Sequence, residues 1–352
     1  GAGRACCRRA GHGAAEVTGE LPALDTRAQA QIARAAEVLR AGGLVAFPTE
    51  TVYGLGAAAE QPDAVRRIFA AKGRPADHPV IVHLRSDAEL DAWARSVPPG
   101  ARRLARAFWP GPLTLVLARS DRAHDLLTGG QDSVGLRCPS HPWARALLSA
   151  FGAAVAAPSA NSFGRISPTT AQHVRDDLGE RSAEHPGGKV DLILDGGACP
   201  VGIESTIVDF SHGAPTLLRP GSITRAQLEA ILGTPVPDAG HAAPRASGRL
   251  DSHYAPRTPL ELVAPGQLPA RINALRDQRL AVLAPAAALL DRASHVVMRL
   301  ISAADAATYA QQLYASLHQL DAAGADRILV AQPPEGPAWS AVHDRLRRAS
   351  AR

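Results

Sequence analysis

Residues 70–84 read AAKGRPADHPVIVHL, and the stretch changes its periodicity in the middle. The apolar positions that begin near Asp63 recur at helical spacing and end at Gly73. From Val80 to Leu84 an apolar run of strand length follows, with His83 inside it. A helix that delivers a short apolar strand is the repeating unit of an α/β sheet. Lys72 and Arg74, flanking the glycine, suit a polyphosphate: lysine as a compact point charge, arginine as a fork. The same cations would complement the dipole at a helix C-terminus, and the stretch alone leaves both uses open.

The alternation continues in both directions. Upstream, Ile32, Ala35, Ala36 and Leu39 mark a helix that stops at Gly42-Gly43, before the apolar run 44–47. Downstream, runs at 113–118, 134–138, 153–157, 192–194, 207–210 and 216–218 read as strands, with helical stretches at 101–108, 142–151 and 170–178. An α/β sheet is the expected architecture, although strand directions are not readable from the pattern. Between 233 and 258 the chain turns to Pro, Gly, Ala, His and Arg, the composition of a long linker. Beyond it, runs at 260–263, 280–283, 296–300 and 328–330 alternate with helices near 269–276, 304–320 and 338–348. The expected division is therefore a flexible arm over 1–23, a first domain over 24–233, a linker over 234–259 and a smaller α/β domain over 260–350.

Composition narrows the function. The chain has 352 residues, 46% of them hydrophobic, and its 31 Gly and 28 Pro show no strict period, so a globular protein is expected. No apolar run approaches the roughly 20 residues of a membrane span, and the opening GAGRACCRRAGHG is followed by no apolar segment, so neither a membrane nor secretion is expected. Cys6, Cys7, Cys138 and Cys199 lack zinc-ligand spacing, and the expectation is a reducing cytoplasm without a protein-bound metal. The net charge of +5 permits nucleic-acid affinity without demonstrating it. Among 38 basic residues only Lys72 and Lys189 are lysines, which draws attention to Lys72.

Polar residues gather beside the apolar runs: Thr49 and Thr51, His83, Arg137, Ser159 and Asn161. Each hydroxyl or amide taken singly fits a turn or cap, but their number points to a site at strand ends. Lys72, Arg74, Arg137 and Arg219 would offset a nucleoside triphosphate and a carboxylate if they converge. No Walker-type phosphate loop occurs, and G-x-G-x-x-A at 54–59 is a weak dinucleotide signal without a convincing following helix. There is no G-x-S-x-G elbow, and Cys138 before a proline reads as a buried small residue, so covalent catalysis is not expected.

Together the motifs are specific: FPTETVYGLG (47–56), KGRP and HPVIVHL (72–84), WPGPLTLVL (109–117), GLRCP (135–139), APSANSFGRISPT (157–169), GIESTIVD (202–209), LRPG (218–221) and HYAPRTPL (253–260). The chain resembles the threonylcarbamoyl-AMP synthases of the two-domain type. That resemblance implies a YrdC-like twisted mixed sheet with helices, joined by the linker to a Rossmann-like domain. It also implies L-threonine, bicarbonate or carbon dioxide, and ATP with magnesium as reactants. The product, threonylcarbamoyl-AMP, would pass to a tRNA threonylcarbamoyl transferase complex, with weak tRNA binding as a further expectation.

By the same resemblance Lys72, Arg74, Ser159 and Asn161 are the catalytic set, matching K-x-R and S-x-N. ATP would meet these together with His78, Ser133, Thr169, Arg219 and Tyr254, and Ser167 is the alternative to Thr169. His78 stands where the family more often has a small or amide residue. L-threonine would meet Thr51, His83, Arg137, Ser159 and Ser205. Tyr254 is expected to fold back over the site as a lid, the other reading being a tyrosine packed against either domain, and deletion of 234–352 is expected to cost activity without unfolding the first domain. The rivals are a carbamoyltransferase, which would be longer and carry zinc-finger cysteines, and a noncatalytic RNA-binding YrdC-like paralogue.

Overall fold

The computed structural model describes residues 24–240, 243–248, 252–289 and 293–351, so the expected arm lies outside the described residues. The first sheet has nine strands: β1 (Val45–Phe47), β2 (Gly54–Ala58), β3 (Ile81–His83), β4 (Leu113–Ala118), β5 (Ser133–Arg137), β6 (Val155–Ala156), β7 (Leu192–Ile193), β8 (Thr206–Asp209) and β9 (Thr216–Arg219). Their order is β7-β1-β2-β6-β3-β5-β4-β8-β9, with three parallel pairs (β7–β1, β3–β5, β4–β8) among five antiparallel ones. The sheet is mixed, as the family resemblance implied. Strand β2 is a departure: the glycines that looked like a dinucleotide loop form a buried central strand instead. A Cβ on Gly56 would stand 2.8 Å from the Phe47 ring and 2.9 Å from Val155, so glycine is what lets β1 and β6 close on it.

Local chemistry sets the helices that carry the site. Helix Pro62–Lys72 starts with proline in its first turn and ends at Gly73, whose φ is +63°. The Gly73 N–H donates to the Ala70 carbonyl and the Arg74 N–H to the Phe69 carbonyl, a Schellman ending. Ala64, Val65, Ile68 and Phe69 bury one stripe, which fixes the helix and thereby the place of Lys72 on its last turn. Helix Thr26–Arg40 is capped by the Asp25 carboxylate and packs its apolar stripe, with Phe47 and Val155, against helix Pro142–Phe151.

The second sheet is parallel throughout, in the order β10 (Leu260–Val263), β13 (Arg327–Ala331), β11 (Leu280–Ala284), β12 (Val296–Ile301). Its helices Ala306–Ala322 and Ser340–Ser350 do more than cover it. Tyr309, Tyr314, Leu317, Trp339, Val342 and Leu346 share one apolar cluster with Val52, Ile166, Ile203 and Tyr254 of the first domain and linker. Deleting 234–352 would therefore strip cover from Val52, Ile166 and Ile203, which the linker composition gave no reason to expect.

The two domains also approach each other closely at Gly202. Its φ is +75°, and a Cβ there would lie 2.2 Å from the Gln311 carbonyl oxygen. Gly152 has a similar φ of +80° but open space around it. Gly152→Ala is expected to cost about 1 kcal/mol from backbone strain alone. Gly202→Ala adds a backbone collision and is expected to cost about 3 kcal/mol. Urea unfolding of both variants checks this, and equal costs would mean the helix does not press on Gly202.

Candidate active site

Strands β3 and β5 build the floor. Ile81 and His83, two residues apart, face the same side of the sheet, and the parallel register sets Arg137 beside His83. The alternating Val80, Val82 and Leu84 enter the core. The cavity thus lies over a face of the sheet, not only at strand ends as the sequence suggested. It spans about 610 Å³ of space between the atoms, the open solvent at its mouth included.

Three cations enter this cavity without a carboxylate. Lys72, Arg74 and Arg219 are 4%, 8% and 3% exposed, and among the described residues none has an acidic side chain within ion-pairing distance. The Lys72 ammonium donates to the carbonyls of Ser159, at 2.6 Å, and Asn161. Arg74 donates to the Pro79 carbonyl at 2.7 Å and lies 5.5 Å from the Phe163 ring centroid. Arg219 donates to the Ser205 carbonyl and hydroxyl at 3.1 Å each and to the Ser247 carbonyl at 2.9 Å. Burial, and then the neighbouring Arg74, push the Lys72 pKa well down. Burial brings Arg74 down to about 10. Holding three such groups in one buried space is costly, and an anion would relieve it.

Arg137 differs because it is pre-set. Its Nη2 donates to Glu50 Oε1 at 2.5 Å and to the Thr51 hydroxyl at 2.9 Å, while the Ser140 N–H donates to Glu50 Oε2 at 3.0 Å. Its Nε is buried without a partner. Beside it His83, 3% exposed, has an unpartnered Nδ1, and burial together with Arg137 lowers its pKa to about 3, so the imidazole is neutral. Among the described residues Asn161 Oδ1, His253 Nδ1 and the Tyr254 hydroxyl are also buried without partners, and all five groups belong to residues lining this one cavity. Unsatisfied buried polar atoms are rare in folded proteins, and such a gathering of them marks a binding site.

The loop segments complete the walls. Asp177 accepts from the Ser162 N–H at 2.7 Å and its hydroxyl at 2.8 Å, pinning the loop of Ser159 and Asn161. Ser205 shares a 2.8 Å hydrogen bond with Thr114. The linker adds to the wall: Ser247 and Gly248 line the cavity, and Arg245 donates to the Asp77 and Gly129 carbonyls of the first domain. Tyr254, at φ +61°, is wholly buried.

Of the residues singled out in the sequence, the cavity brings together the Lys72, Arg74, Ser159 and Asn161 set, the Thr51, His83, Arg137 and Ser205 set, and Arg219 and Tyr254. Ser133 lines an adjoining cavity that shares Ile81 and Ser247. Thr169 is buried just outside, its N–H donating to His173 Nδ1. His78 also lies outside the lining, its ring centroid 5.1 Å from that of Phe163. Sequence reading missed Glu50 and Glu204, although both sit inside quoted motifs, and it missed Ser247 and Gly248, whose surroundings carried no signal. Both carboxylates have their oxygens engaged, and among the described residues no group of three acidic, His or Cys side chains is placed to hold a metal.

Residues 37–221 match the Sua5/YciO/YrdC family profile, described as "Telomere recombination". Residues 223–351 match the profile described as "Threonylcarbamoyl-AMP synthase, C-terminal domain". A protein of Bacillus subtilis named threonylcarbamoyl-AMP synthase is 38% identical over 95% of this chain and 96% of its own length. One of Pyrococcus abyssi with the same name is 38% identical over 90% and 93%. The crystal structure of P. abyssi Sua5 complexed with L-threonine superposes with a TM-score of 0.83 at 36% identity, covering 92% of this chain and 94% of that one. With both profiles matched in tandem and relatives aligned over nearly the whole length, the chain belongs to the Sua5/YciO/YrdC family in its two-domain form.

Proposed function

We propose that the protein is an L-threonylcarbamoyladenylate synthase, a nucleotidyltransferase that joins L-threonine, bicarbonate-derived carbon dioxide and ATP. The observation that carries the reading is the convergence, with a pre-set arginine fork in one cavity, of three buried cations that have no carboxylate within ion-pairing distance among the described residues. Lys72, Arg74 and Arg219 match the charge of a triphosphate, and the Arg137 Nε and Nη atoms beside neutral His83 and Thr51 match a small zwitterion bearing a hydroxyl. The near-full-length relatives that carry the synthase name, and the relative crystallised with L-threonine, support the same substrates.

In the proposed reaction the threonine amine takes up carbon dioxide and loses a proton to become a carbamate. A carbamate oxygen then bonds to the α-phosphorus as the bond to the β-phosphate bridging oxygen breaks, releasing pyrophosphate. The protein forms no covalent bond. Arg137, held by Glu50, orients the carboxylate, and the cations offset charge as it moves onto pyrophosphate. Because Glu50 and Glu204 are already engaged, magnesium is expected as part of the nucleotide substrate and not on a protein carboxylate cage. The product would then serve a tRNA threonylcarbamoyl transferase.

The test is pyrophosphate release from magnesium-ATP by the purified chain, with L-threonine and bicarbonate each omitted in turn, and chromatographic detection of the adenylate. Release that needs both is the expected result. ATP binding without threonine-dependent release, accompanied by salt-dependent RNA affinity, would replace the synthase with the RNA-binding alternative.

A further inference from the structure

The second domain braces residues that line the cavity, chiefly through one arginine. Arg345, on the last helix, Ser340–Ser350, has a fully buried side chain. Its Nε donates to Glu204 Oε2 at 2.8 Å, its Nη1 to the Pro220 carbonyl at 3.0 Å, and its guanidinium carbon lies 5.3 Å from the Tyr254 ring centroid. Two of these partners line the cavity and the third adjoins it: Glu204 precedes Ser205, Tyr254 belongs to the linker, and Pro220 follows the lining residue Arg219. Tyr314, from the other long helix of the domain, donates to Glu204 Oε2 at 2.8 Å, and its ring lies 5.7 Å from that of Tyr254. The Ser167 hydroxyl occupies Glu204 Oε1. Asp344 in turn accepts from Arg345 at 2.8 Å and from Arg348 at 3.0 Å, anchoring the guanidinium.

We infer that Arg345 is a positioning residue of the synthase site, registering the Ser205 loop, the Arg219 turn and Tyr254 against one another through Glu204, the Pro220 carbonyl and the Tyr254 ring. This rests on the synthase reading and adds to it a specific task for the second domain. A buried arginine is suited to the task because its planar fork serves several acceptors at fixed angles, which an ammonium cannot do. None of its contacts needs to touch a reactant; the wall they set does. Glu204 is likewise spent on holding Arg345 and Tyr314, which explains a carboxylate at the edge of a cavity built for anions.

The experiment uses the full chain and compares the wild type with Arg345→Met, Arg345→Lys, Tyr314→Phe and Val342→Ala, measuring kcat, the KM for ATP and L-threonine, and the thermal midpoint. Val342 is buried on the same helix and lines no part of the cavity, so it reports loosening alone. Arg345→Met is expected to lose about 10²-fold in kcat/KM, the scale of a misplaced reacting geometry, with kcat falling more than KM rises. Arg345→Lys should keep roughly tenfold more than Arg345→Met, because it restores charge opposite Glu204 without the fork. Tyr314→Phe, which removes one hydrogen bond, should lower kcat a few-fold, and Val342→Ala should lower the thermal midpoint with kcat unchanged. A folded Arg345→Met with wild-type kcat overturns the inference, as does a Val342→Ala kcat loss that matches it at equal destabilisation. If Arg345→Met does not fold, an unchanged kcat in Tyr314→Phe overturns it. A wild-type chain with no threonine-dependent release removes the synthase reading itself, and this inference with it.

Discussion

Lys72→Met is expected to reduce threonine- and bicarbonate-dependent pyrophosphate release by about 10²–10³-fold, while its thermal midpoint stays level or rises. The two effects run in opposite directions because the side chain is placed for an anion and not for the fold. The residue is 4% exposed, and its ammonium has Arg74 nearby and meets no carboxylate within ion-pairing distance among the described residues. Methionine keeps the apolar stem against the helix stripe and removes a buried charge that burial already disfavours. The Ser159 and Asn161 carbonyls lose a donor, which offsets part of the gain. Steady-state assays beside a thermal melt of the same sample measure both. A variant that loses stability in parallel with activity would assign Lys72 to the structure and leave the phosphate reading without its central residue.

Acidification is expected to unfold the chain through two imidazoles of the same cavity. His83 and His253, 3% and 7% exposed, are both lowered to about 3, each chiefly by burial, whereas an unfolded histidine titrates near 6.5. Below about pH 6.5 the unfolded chain binds two protons at these imidazoles that the folded chain refuses, and His173, lowered to about 4 by burial and then by His318, adds to the difference. Stability is therefore complete above that pH and falls as pH drops towards 3, with a limiting slope of about 3 kcal/mol per pH unit from the two cavity imidazoles. Glu204 acts in the same direction at lower pH. Burial works against its ionisation, but Arg345, Arg219 and the Ser167 hydroxyl outweigh that and hold it near 2, so its contribution is lost only as pH falls below 4.5. Urea midpoints at about pH 7 and about pH 5 measure the effect. Equal midpoints would mean the imidazoles accept protons inside the fold, and the cavity would then be wetter than its lining indicates.

What was legible in the sequence was local. The KGRP and HPVIVHL segments carry the helix ending, the strand and the two cations within fifteen residues, so spacing alone places them. Strand β2 was not legible, because glycine and alanine carry little strand propensity and the same letters suit a loop. Only the fit of Gly56 against Phe47 and Val155 makes it a strand. The contact of Glu204 with Arg345 spans 141 positions. Nothing in GIEST or in the last helix marks the pair, since a buried ion pair is a property of the docked domains. His78, Ser133 and Thr169 show the reverse limit: residue type and motif brought them near the cavity, yet none of them lines it.

The apolar cluster that runs from Val52 and Ile203 into Tyr314, Trp339 and Leu346 also bears on inheritance. A chain whose first domain shares an apolar cluster with the second cannot exchange that domain as an independent module. A transplanted C-terminal half would need to bring its own arginine to the same carboxylate and its own helix to the same glycine. Drift in either half is accordingly filtered by the other, and the pair descends as a single unit of selection.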